Sequence, residues 1–124
     1  MDIVVISDNN NPVRRNNVVK IFEEKHVKFH FFNAIMANRM SEKEIAKAAV
    51  EHTFLSASEI GCALSHRTAY DEFLQSEHKS LVVCEDDICF TPDFSADVVA
   101  DVVDFVEESD EPRLVVLQKK YLPP

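Results

Sequence analysis

Two apolar runs, joined by one helical stretch, limit most of what this chain can fold into. Residues 2–7, Asp-Ile-Val-Val-Ile-Ser, read as a buried strand. Asp8-Asn9-Asn10-Asn11-Pro12 follows as a turn into a helix, with an asparagine cap and proline at or near the first helical position. That helix carries Val18, Val19, Ile21 and Phe22 on its apolar side, and Val27 to Phe32 reads as a second strand. Strand, helix, strand at this spacing is a βαβ unit, which favours a parallel sheet with a right-handed crossover. The alternation continues. After a loop over 33–40, Ser41-Glu42-Lys43-Glu44 is a capping box for a short helix to about Glu51. Ser56-Ala57-Ser58-Glu59 is a second box, opening a longer helix to about Ser76. A strand over 81–84 comes next, then a helix from Phe94 to Glu108 with Val98, Val99, Val102, Val103 and Val106 toward the sheet. Pro112-Arg113 ends it, and Leu114 to Leu117 is expected as a last strand. The whole is a single α/β domain whose ligand should bind beyond the carboxyl ends of the strands, where Asp8 and Glu85–Asp87 fall.

The third apolar run is the one that suggests chemistry. Leu81-Val82-Val83-Cys84 leads into Glu85-Asp86-Asp87 and then back to Ile88-Cys89-Phe90. Three carboxylates at a strand end are costly unless positive charge sits among them. A hard divalent cation, Mg²⁺ or Mn²⁺, is suited to carboxylate oxygens and to a substrate phosphate. In an extended segment Glu85 and Asp87 point one way and Asp86 the other, so Glu85 and Asp87 are the candidate metal ligands. A solvated acidic turn explains the same residues equally well.

Composition narrows the partners. The 124 residues suffice for one domain with a core. The formal net charge of −9 argues against nucleic acid as a partner, and any nucleotide would need local cations. Gly61 is the sole glycine, which excludes glycine-rich phosphate loops. Cys62, Cys84 and Cys89 form no CxxC unit and are expected to be small buried apolar residues. No apolar run is long enough to span a bilayer, and Met1-Asp2 lacks the basic flank of a signal peptide, so a cytoplasmic location is expected.

A second group of residues precedes the acidic run: Ser56-Ala57-Ser58-Glu59-Ile60-Gly61-Cys62-Ala63-Leu64-Ser65-His66. Glu59, Cys62 and His66 recur at helical spacing and lie near one face. The spacing of Cys62 and His66 is compatible with metal binding, and equally with a packed cysteine and a hydrogen-bonding histidine. Ser65 and His66 diverge by about 100° on a helix, which argues against a nucleophilic dyad.

Taken together, the helix motif and Leu-Val-Val-x-Glu-Asp-Asp resemble glycosyltransferase family 25, which includes lipooligosaccharide galactosyltransferases and collagen galactosyltransferase domains. Arg14-Arg15 after the first strand, and Val27-Lys28-Phe29-His30-Phe31-Phe32-Asn33-Ala34-Ile35-Met36, resemble that family's opening as well. The resemblance implies a GT-A-like (Rossmann-like), mostly parallel sheet flanked by helices and a UDP-sugar donor, with UDP-galactose foremost. It also implies a lipooligosaccharide or other glycan acceptor and Mn²⁺ or Mg²⁺ at Glu85 and Asp87. By position, Arg14, Arg15, Glu59, Ser65, His66 and Asp86 would line the donor side. Glu59 has a plainer role as the last member of its capping box. No residue stands out as the catalytic base.

The chain departs from the family opening at Ser7-Asp8, where Asn-Leu is usual, and an acid there repels a diphosphate. Family catalytic domains are also considerably longer. Residues 1–124 are therefore expected to be a truncated, N-terminal nucleotide-sugar-binding half. Such a half would show no transfer alone, would cover its apolar surface as a twofold homodimer, and would work in the cytoplasm with peripheral association at the inner face of the inner membrane. Two other readings fit parts of the sequence. One is a nonenzymatic remnant that binds a nucleotide or partner. The other is a receiver-like signalling domain, in which Lys119 would follow the last strand.

Overall fold

The computed structural model describes residues 1–48 and 55–118. Three strands form one parallel sheet: β1 (Asp2–Ser7), β2 (His30–Asn33) and β3 (Leu81–Glu85), in the order β2-β1-β3. Register runs from Val4↔His30 to Ser7↔Asn33 on one side of β1, and from Asp2↔Leu81 to Ile6↔Glu85 on the other. The helices are α1 (Pro12–Glu24), α2 (Glu42–Ala48), α3 (Ala57–Leu74) and α4 (Ala96–Glu107), with a 3-10 turn at Ala37–Arg39. This is the α/β, Rossmann-like arrangement expected from the alternation of apolar runs and capped helices.

Central β1 is buried on both faces because helices cover both. Ile3 and Val5 join Val18 and Phe22 of α1 and Val99 and Val103 of α4 in one core cluster. Val4 and Ile6 are also buried, and α3 packs against β1. That explains why β1 reads as a continuous apolar run rather than an alternating one. The caps act as their residue types predict. Asn11 Oδ1 accepts the Arg14 amide with Pro12 at the first helical position. Ser56 and Glu59 form a complete reciprocal capping box. Ser95, which the sequence pattern did not single out, caps α4 by accepting the Val98 amide.

Three expectations need correction. β2 begins at His30, not Val27, because the end of α1 takes the Val27 amide. The Val27 amide donates to Phe22 O and the His26 amide to Glu23 O, which closes the helix in a Schellman turn with His26 at φ 55°. Residues 114–117 form no strand: Leu114, Val116 and Leu117 are exposed and pair with none of the described strands. Of the cysteines only Cys84 packs against the core, while Cys62 and Cys89 are exposed. Residues 49–51, at the expected end of α2, and Lys119 lie outside the described residues.

The left-handed His26 gives a direct test. Glycine adopts that conformation without a Cβ penalty. His26→Gly is therefore expected to stabilise the fold by about 0.5–1 kcal/mol in urea titration. A loss of stability would mean that the imidazole contributes more than the backbone strain costs.

Candidate functional site

The strand order 2-1-3 sends the chain in opposite directions from β1, so the carboxyl ends of β1 and β3 flank a topological switch point, where α/β sheets place ligands. The side chains there come from the end of β1, the start of α1 and the turn after β3. Ser7 Oγ donates to Asp86 Oδ2 at 2.8 Å, and Arg14 Nη1 donates to Asp86 Oδ1 at 3.1 Å. Asp86 thus ties the third strand to the first and to α1. Arg15 is used differently. Its Nη2 donates to Ser7 O (2.9 Å) and Asn33 Oδ1 (2.7 Å), and its guanidinium lies 4.4 Å over the Phe31 ring. Arg15 pins the ends of β1 and β2, and its buried Nε has no hydrogen-bond partner among the described residues.

Asp8 is held as an anion by a two-pronged pair with Arg39, at 2.9 and 3.1 Å, and by the Asn10 amide. These bonds keep its carboxyl below the ordinary aspartate range. The acid that would repel a diphosphate therefore arrives with its own cation. Arg39 sits in the 3-10 turn between α1 and α2, outside any sequence motif, which is why the pattern of residues did not reveal it.

Glu85 closes the other side. Its Oε1 lies 3.1 Å from His66 Nε2 and 3.4 Å from Cys62 Sγ, while His66 Nδ1 is 3.2 Å from Tyr70 Oη. Burial and the neighbouring Glu85 carboxylate both push the Cys62 thiol above its ordinary range. Tyr70 follows His66 by one helical turn, so helical spacing was the signal that could have found it.

The expected site residues therefore separate into groups. Asp86 and Arg14 meet at the switch point, and Glu85, Cys62 and His66 meet beside it. Glu59 is exposed and occupied in its capping box. Ser65 is buried, donating to Gly61 O and accepting the Ile35 amide, both at 2.8 Å. The alternation assumed for Glu85 and Asp87 stops at Glu85, because residues 85–88 turn, with the Ile88 amide on Glu85 O. Both carboxylates are exposed on that turn, and none of the described side chains bonds to Asp87. Asp87 faces outward unengaged, whereas Glu85 is already in contact with His66 and Cys62, and an exposed carboxylate such as Asp87 suits the oxygen preference of a hard cation.

The family model for glycosyltransferase family 25 (LPS biosynthesis protein) matches residues 1–121. The chain belongs to glycosyltransferase family 25. Among curated proteins it is similar to a "Glycosyltransferase 25 family member" of Aedes aegypti, 29% identical over 112 residues, covering 82% of this chain and 18% of the relative. It is similar also to one of Drosophila pseudoobscura pseudoobscura, 28% identical over 107 residues (78% of this chain, 17% of the relative). The "Lacto-N-neotetraose biosynthesis glycosyltransferase LgtB" of Neisseria gonorrhoeae is 29% identical over 78 residues (60% and 28%). The chain thus spans less than a fifth of the length of the insect relatives. Family 25 membership replaces the receiver-like reading. Among the described residues of this family 25 chain, no helix is long and apolar enough to cross a membrane.

Proposed function

We propose that this chain forms the nucleotide-sugar-binding part of a metal-dependent, GT-A-type glycosyltransferase. It would take a UDP-sugar, UDP-galactose foremost, and serve lipooligosaccharide or lipopolysaccharide biosynthesis. The observation that carries this reading is the Arg14–Asp86–Ser7 bridge across the β1/β3 switch point, in a family 25 chain. Arg14 is 56% exposed, so its pair with Asp86 contributes at most about 1 kcal/mol. A diphosphate offers a guanidinium two parallel, charge-assisted bonds, and so competes well for it. Asp86, once released, is an acceptor for donor hydroxyls. Arg39 screens the charge of Asp8 from the same ligand.

Asp87 would hold Mn²⁺ or Mg²⁺, joined by Glu85 when that carboxylate turns away from His66. When bound, the cation offsets diphosphate charge and stabilises departing UDP. Arg15 would act indirectly, keeping the ends of β1 and β2 in place around the nucleotide.

Calorimetry of the 124-residue chain with UDP, with Mn²⁺ or with chelator, tests this. Binding is expected with Mn²⁺ and at least tenfold weaker without it. Asp87→Asn, which keeps size but loses the anionic oxygen, should abolish the metal-dependent part with the fold intact. Equal affinity with chelator, or in a folded Asp87→Asn protein, would remove the metal from this reading. Absence of UDP binding under every condition would remove the nucleotide.

A further inference from the structure

We propose that Cys62, His66 and Glu85 form an open three-ligand site for a borderline-soft divalent ion, with Zn²⁺ the best match. This goes beyond the nucleotide-sugar reading and does not rest on it. α3 places Cys62 and His66 one turn apart, and the end of β3 delivers Glu85 between them. One ligand atom from each, the Cys62 Sγ, an imidazole nitrogen of His66 and a carboxylate oxygen of Glu85, all lie within 4.8 Å of one another. Zinc bonds of about 2.0–2.3 Å place ligand atoms about 3.3–3.8 Å apart along the edges of a tetrahedron. The two measured edges, Sγ to Oε1 at 3.4 Å and Nε2 to Oε1 at 3.1 Å, come within a few tenths of an ångström of that.

The surroundings fit the same ion. His66 Nδ1 is engaged with Tyr70 Oη at 3.2 Å, which fixes the ring with Nε2 toward Glu85, the outer-shell arrangement common behind ligating histidines. A thiolate–imidazole–carboxylate set selects zinc over magnesium or manganese, which separates this site from the all-carboxylate turn at Asp87. Cys62 is exposed and His66 partly so, which gives the ion a direct approach and leaves the fourth position to water. On binding, the thiol proton passes to solvent and the thiolate takes its place on the metal. Glu85 belongs to both sets of carboxylates, so the test is made without nucleotide.

The metal-free 124-residue chain is titrated with Co²⁺ and then Zn²⁺. A near-ultraviolet thiolate-to-cobalt band is expected to saturate at one equivalent and to vanish as Zn²⁺ displaces Co²⁺. Loss of an outer partner alone costs about 10–100-fold in metal affinity, so loss of a ligand costs at least that. Cys62→Ser should abolish the band and weaken Zn²⁺ about 100-fold, with circular dichroism unchanged. Glu85→Gln should keep the band and weaken Zn²⁺ tenfold or more. Cys89→Ser should change neither. Absence of a thiolate band in the wild-type chain, a band that survives Cys62→Ser, or unchanged Zn²⁺ affinity in Glu85→Gln would each overturn the assignment. UDP takes no part, so this result and the nucleotide result can fail separately.

Discussion

Replacing Phe22 by alanine is expected to cost about 3–5 kcal/mol of unfolding free energy, a large fraction of the roughly 5–15 kcal/mol that holds a domain of this kind together. Phe22 is 1% exposed and stands where α1, the approach to β2 and the segment before α4 converge. Its ring centroid lies 4.4 Å from that of Phe29 and 5.0 Å edge-on from Phe90, which in turn stacks on Phe94 at 3.9 Å. Truncation therefore leaves Phe29 and Phe90 each without the ring they pack against. Phe22 O also accepts the Val27 amide, so the same residue ends α1 and aims the chain toward β2. Phe22→Leu should retain more than half of the lost stability, because it leaves a smaller cavity. Urea titrations of the three proteins decide the matter. A midpoint for Phe22→Ala close to wild type would mean that the aromatic cluster is not the core of this domain.

How much of this could be read from the residues depends on how local each signal is. α1 and α3 were legible because each joins an apolar side to its own cap within a few residues, β1 from its continuous apolar run, and α4 from the spacing of its valines alone. Parallel pairing of β1 and β2 was legible because a βαβ unit has one favoured hand. The start of β2 was not, since Val27 to Phe29 alternates like a strand while the Val27 amide is taken by the α1 terminus. Residues 114–117 misled for a related reason: an apolar run predicts burial only if a strand lies beside it, and that is a tertiary fact. In the site, the family resemblance gathered a set of residues but did not say which of them touch one another. Arg14 and Arg15 are adjacent in sequence, yet one faces Asp86 and the other pins two strands. The pairing of Asp8 with Arg39 spans 31 residues and has no local signature. Glu85 was placed with Asp87 by strand alternation, and the turn at 85–88 gave it to His66 and Cys62 instead.

Gly61→Ala is expected to destabilise the protein by about 1–2 kcal/mol, although alanine is favoured over glycine by roughly 1 kcal/mol in a helix interior. The opposing term is a close approach of two backbones. A Cβ at position 61 would sit 2.7 Å from Ile35 O and 3.1 Å from Ala37 N. The first is a backbone oxygen, so no side-chain rotation relieves it. Nor can the loop at 35–37 easily retreat, because the Ile35 amide bonds to Ser65 Oγ at 2.8 Å, one turn further along α3. Either that bond lengthens or α3 shifts as a body. A shift of α3 moves Cys62 and His66 with it and lengthens their contacts with Glu85, so the imidazole resonances of His66 should change together with stability. Ala63→Gly, at an exposed position of the same helix, separates the two effects: it should cost about 1 kcal/mol from propensity alone and leave the His66 resonances in place. If Gly61→Ala instead raises the unfolding midpoint, the contact with Ile35 O is soft, and the only glycine of the chain is there for a reason other than the approach of α3 to this loop.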